Sequence, residues 1–200
     1  MLRLGAQEEN LVYLNRAADI FRKIAGVFPA TRDQAIWALA ESNLANALTW
    51  IGETVPDTAD LEHAAALYRQ ILTVWTFSTS PYNWASTQHD LANTLMDLAR
   101  QESSPTYLRQ AIDALRAALK VYTREHDPSA WADTQATLGD ALATLAESES
   151  GTEHLVQAAA AFRAALSVYS KDSAPSAWKS VNQDLNTALA ELHKRGGAGS

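Results

Sequence analysis

Five histidines, His63, His89, His126, His154 and His193, are the side chains best suited to acid–base or metal chemistry near neutral pH. None stands in an HxxxH spacing or has a carboxylate at metal-ligand spacing, so a zinc or di-iron site is not expected. The chain has no cysteine, which removes thiolate metal sites, cysteine nucleophiles and disulfides together. No Gly-rich phosphate loop, no GxSxG elbow and no carboxylate pair on one inward face of a bundle occurs. Arg22, Arg69, Arg116 and Arg163 recur at equal intervals, and a fourfold repeated arginine reads as ion pairing, with Asp113 as the i,i+3 partner of Arg116. Gln88 and Gln135, with Asn182 and Glu41 in the same column, read as polar groups tying one helix to a neighbouring backbone. With no set of nucleophile, base and orienter, the expectation is a protein without enzyme activity and without a cofactor.

What positions these columns is a repeat. Trp37, Trp84, Trp131 and Trp178 stand 47 residues apart, and the same interval aligns Leu44, Leu91, Leu138 and Leu185, then Leu48, Leu95, Leu142 and Leu189. A period of that size is the mark of a repeat array, in which each unit buries its apolar face only against its neighbours. Asp33, Ser80, Asp127 and Ala174 precede Gln34, Pro81, Pro128 and Pro175, so three copies place a capping oxygen at a helix start and three place proline at the first helical position. A second column, Asn10, Asp57, Ser104 and Gly151, opens a second helix in each unit. The pattern predicts helices over 10–28, 34–52, 58–77, 81–101, 105–125, 128–147, 152–171 and 175–194, and no strand.

Two elements resemble the tetratricopeptide repeat. Leu138-Gly139-x2-Leu142 sets a small residue beside a packed leucine, and Ala17-x3-Phe21, Ala64-x3-Tyr68, Ala111-x3-Leu115 and Ala158-x3-Phe162 set a small residue one turn before a large one. The resemblance spans residues 10–194 and implies an all-α fold: a right-handed superhelical solenoid of antiparallel helix pairs, with about eight helices. The departures are a period of 47 in place of 34, and a Leu-Gly pair intact only at Gly139. HEAT and armadillo arrays, with their longer period, are the alternative.

Counted from each Trp, offsets 0, 7, 11 and 14 are apolar and are expected to fill the core. Offsets 1, 5, 8 and 12 are small, as in Ala132, Ala136, Gly139 and Ala143, and should let adjacent helices approach; in the last helix they become Lys179, Gln183, Asn186 and Ala190, a polar cap. Offsets 2, 6, 9 and 13 are polar, and the resemblance implies that they line a concave face. The candidate partner-binding residues are Asn43, Asn46 and Trp50, then Ser86, Asp90, Asn93 and Asp97, then Asp133 and Asp140, and finally Asp184 and Glu191. That wall carries acids and no base, so it would take a protein or peptide of basic character, with Trp50 as an aromatic anchor.

The formal net charge of −7 argues against nucleic acid as a partner. No apolar run reaches the length of a membrane span, and Glu8 and Glu9 interrupt any signal-like segment, so no membrane partner and a cytoplasmic location are expected. Residues 1–9 read as a lead-in, 10–195 as one solenoid domain and 196–200 as a flexible tail. Residues 10–28 form a second helix with no first helix before it, leaving an end that could accept a partner, a second copy or a missing upstream domain; the alternative functions are a self-associating structural scaffold or a regulatory repeat segment of a larger effector protein.

Overall fold

The structure, a computed structural model, describes residues 2–55 and 58–197, with side chains from residue 10 to 196. These residues form eight helices and no strand: α1 (Leu2–Val27), α2 (Gln34–Thr54), α3 (Thr58–Ile71), α4 (Pro81–Glu102), α5 (Pro105–Ala118), α6 (Pro128–Glu147), α7 (Glu153–Leu166) and α8 (Pro175–Gly197). They divide into two compact units, Met1–Ser104 and Pro105–Ser200. Within the first, α1 packs on α2, α2 on α3 and α3 on α4, while α2 also touches α4. The second repeats this with α5 to α8, and α6 touches α8. Each unit is thus an all-α stack of sequential neighbours, the packing of an α-solenoid.

The helix starts follow from local chemistry. The Asp33 carboxylate accepts hydrogen bonds from the Ala35 and Ile36 amides, each at 3.1 Å, and that of Asp127 accepts from the Ala130 amide at 3.0 Å. Pro81 and Pro128 open α4 and α6, where the missing amide proton has no helical partner to lose. Ser80 stands before α4 but makes no side-chain cap, and α7 is preceded by Thr152, not Gly151. Asn10 lies inside α1, which begins at Leu2, so residues 2–9 belong to that helix. Asp57 lies outside the described residues.

The second helix of each repeat is shorter than its period suggests. The helices α3, α5 and α7 each have 14 residues and stop at Ile71, Ala118 and Leu166. At each end the backbone tightens, the amides of Thr73, Lys120 and Val168 donating to the carbonyls of Gln70, Ala117 and Ala165 three residues back, and a repeated hydroxyl turn follows. The Thr79 amide donates to Thr76 Oγ1 at 3.2 Å, that of His126 to Thr123 Oγ1 at 3.3 Å and that of Ser173 to Ser170 Oγ at 3.0 Å. These turns lie beyond the helix ends, so the apolar periodicity runs on into segments that are no longer helical. The extra length of the repeat therefore lies in the long first helices and in these turns.

The tryptophans at offset 0 are half-buried and do not fill the core. They sit in the first turn of their helices, and Trp84, Trp131 and Trp178 follow the hydroxyl turns. Trp84 meets Phe77 edge to face at 5.3 Å, and the Lys171 ammonium lies over Trp178 at 4.6 Å. The buried centre is Leu61, Tyr68, Ile71 and Leu95 in the first unit, and Leu115, Leu142, Leu145 and Phe162 in the second.

Candidate binding groove

In the second unit α6 and α8 flank α7 and enclose a groove of about 570 Å³. Leu155 and Phe162 of α7 form its apolar floor. Asp140, Thr144 and Glu147 line one wall, Asp184, Thr187 and Glu191 the other, with Arg195 at the end. Phe162 reaches its place because Gly139 has no side chain: a Cβ there would lie 2.5 Å from the ring. Glycine in mid-helix costs about 1 kcal/mol relative to alanine, so Gly139→Ala should be mildly stabilising if the ring could yield. Phe162 is only 1% exposed and cannot. Gly139→Ala is therefore expected to destabilise the protein by a net ~1–2 kcal/mol, overpacking outweighing propensity, as measured by urea unfolding.

Arg195 closes the groove at the end of α6. Its guanidinium donates to the carbonyls of Ala146 at 2.9 Å, Glu149 at 2.7 Å and Gly151 at 3.1 Å, and to Glu191 at 2.8 Å. A cation over the last carbonyls of a helix satisfies acceptors that have no partner within it. Hydrogen bonds from Arg195 and then Lys194 hold the Glu191 carboxyl below its usual pKa. Asp140 keeps a face to solvent but is hemmed in by the groove walls. This desolvation, with the like charge of Asp184 across the groove, pushes its pKa up to about 6.

The first unit repeats the plan two periods earlier, with Tyr68 in place of Phe162 and Gln101 in place of Arg195. Gln101 donates to the Gly52 carbonyl at 2.8 Å, the counterpart of the bond from Arg195 to Ala146. Here the space between the helices is bridged by polar side chains. The Tyr68 hydroxyl donates to Asn46 Oδ1, and the Thr49 and Thr94 hydroxyls share a hydrogen bond of 2.9 Å. Burial pushes the pKa of Asp90 up to about 6 and raises that of Tyr68, near the Asp90 charge.

The eleven stripe residues therefore have different fates. Asp140, Asp184 and Glu191 line the groove of the second unit. Asn46 is held by Tyr68, and Asn43 donates to the Leu39 carbonyl at 2.8 Å, so both are engaged within unit 1. Asp90 and Asn93 are half-buried, while Ser86 and Trp50 are exposed, Trp50 by 60%. Asp133 is exposed but accepts a hydrogen bond from the Tyr169 hydroxyl. Asp97 is a correction: it is 7% exposed, paired with Arg100 and beside Glu53, and is turned into the protein instead of lining an open wall. Its own burial raises its pKa.

The arginine column also differs in detail from expectation. Arg116 donates to Gln157 at 3.0 Å and Arg22 pairs with Asp19 at 2.7 Å. Glu41, in the amide column, is half-buried with its pKa raised by burial, and its Oε2 has no hydrogen-bond partner. Sequence reasoning passed over Glu147 and Arg195. Continuing the polar stripe by one turn reaches Glu53 and Glu147, and the shared role of positions 101 and 195 is visible only once the helices are paired.

Asp90 yields a pH prediction. Its folded-state pKa lies above the usual 3.8, so holding the ionised form in the fold costs stability at neutral pH. The contribution from the protonated form is complete below about pH 4 and is lost as pH rises through about 6. At about 1.4 kcal/mol per pKa unit, Asp90→Asn should raise stability at pH 7 by ~1–3 kcal/mol and flatten the fall in Tm between pH 4 and 7. An unchanged slope in thermal scans would contradict this.

Among the described residues no group of acids and histidines could hold a metal ion, and no helix is long and apolar enough to cross a membrane. No protein-family model, no curated protein and no solved structure matches the chain.

Proposed function

We propose that this chain is a non-catalytic protein–protein interaction module, tetratricopeptide-like in its repeats, that holds a basic peptide or helix in the acidic groove of its second unit. The observation that carries this reading is the groove itself. Its volume of about 570 Å³ falls within the range of roughly 300–1,000 Å³ usual for ligand clefts. Its two walls present Asp140 and Asp184 above an apolar floor, which suits the aliphatic stem and charged head of a lysine or arginine side chain. Arg195 is spoken for by four acceptors, so it does not neutralise the walls beyond Glu191.

Titration of a fluorescently labelled lysine-rich peptide tests the reading. Affinity should fall as salt is raised, because the contacts are charge pairs. A bound cation favours the ionised form of Asp140, so affinity should also rise as pH increases through about 6 and be severalfold weaker at pH 5. Binding that ignores both salt and pH would argue against the groove.

A further inference from the structure

The exposed apolar side chains concentrate on α1. Tyr13, Ile20 and Val27 are 66%, 56% and 57% exposed, and their seven-residue spacing places them on one face of the helix. The repeat shows what this face is built to meet. Ile20 corresponds to Leu67 of α3 and Ala161 of α7, which are 6% and 5% exposed. Beside it, Leu14 and Phe21 are half-buried, whereas their counterparts, Leu61 and Tyr68 in α3 and Leu155 and Phe162 in α7, are buried.

In α3 and α7 the preceding long helix presents small residues to the counterparts of Leu14 and Phe21. A Cβ at Gly52 of α2 would lie 2.5 Å from Leu61, and one at Gly139 of α6 would lie 2.5 Å from Phe162. The small positions recur every seven residues, as Ala38, Ala45 and Gly52 in α2 and as Ala132, Gly139 and Ala146 in α6, and all six are buried. The knobs of α3 and α7 already occupy these stripes. The last helix cannot serve from a second copy, because α8 has exposed Lys179, Asn186 and His193 in the same register.

We infer that α1 is a second docking surface, whose partner is an amphipathic helix carrying alanine or glycine at seven-residue spacing, packed against Leu14, Ile20 and Phe21 as α6 packs against α7. This surface is separate from the acidic groove and recognises shape and apolar area, not charge.

The test uses the whole chain and a helix-stapled peptide with the sequence of residues 128–147, followed by fluorescence anisotropy. Saturable binding is expected, weakened at least tenfold when the peptide carries Ala132→Leu and Gly139→Leu. A peptide with the sequence of residues 175–194 should not bind. In the protein, Ile20→Glu should abolish binding with an unchanged circular dichroism spectrum. Phe21→Ser gives a second variant should that one fail to fold. The proposal is overturned if the residue 128–147 peptide does not bind, if the leucine-substituted peptide binds as well, or if both folded α1 variants bind normally. It is equally overturned if sedimentation shows the chain to be a dimer through this face that the peptide cannot dissociate.

Discussion

Phe162→Ala is expected to lower the stability of the protein by ~3–5 kcal/mol, the usual cost of removing a fully buried aromatic ring. The ring is 1% exposed and rests against the backbone of α6 at Gly139, so little around it can collapse into the space. Denaturant unfolding should show the loss as a lower midpoint. Hydrogen exchange should show it as faster exchange of amides in α6, α7 and α8. Trp131→Ala provides the contrast. It removes a larger side chain that is only half-buried in the first turn of α6, and should cost ~1–2 kcal/mol. A larger loss at Trp131 than at Phe162 would mean that the core lies along the tryptophan column after all.

Reversing the groove charge should have the largest effect on binding. Asp140→Lys with Asp184→Lys replaces two attractive contacts by two repulsive ones on facing walls. At partly exposed positions this amounts to ~2–4 kcal/mol, or about 30- to 1,000-fold in Kd. Stability should change little, because both positions keep solvent contact and neither is among the buried core residues. Asp133→Lys, on the same helix but outside the groove lining, should weaken binding far less. Equal losses at Asp133 and at the groove pair would mean that general acidity, and not the groove, attracts the peptide.

The repeat made the long helices legible at the level of residues: proline and aspartate mark their starts, and the observed starts at 34, 81, 128 and 175 are those the period predicts. The ends of α3, α5 and α7 were not legible. Their apolar period runs on through Val74, Val121 and Val168, whose amides already donate to carbonyls only three residues back. The core was misread at the tryptophans, since side-chain size does not report depth and position zero falls in the first turn of each long helix.

For the groove, the register of Asp140, Asp184 and Glu191 could be read from the stripe, but openness could not. The same stripe positions in the first unit are occupied by the Tyr68–Asn46 bond, and Asp97 is buried, paired with Arg100 and beside Glu53. Phenylalanine at 162 in place of the tyrosine at 68 removes the hydroxyl that bridges the helices. Ala143 and Ala188, in place of Thr49 and Thr94, remove the second bridge.

The central claim is that a basic partner lies between α6 and α8, and NMR mapping of the peptide titration tests it most directly. The account predicts that amide and methyl shifts concentrate on Asp140, Ala143, Thr144, Thr187 and Ala188, with ring-current changes at Phe162. Shifts that spread evenly over the acidic surface, or that leave these residues unmoved while the peptide binds, would contradict it.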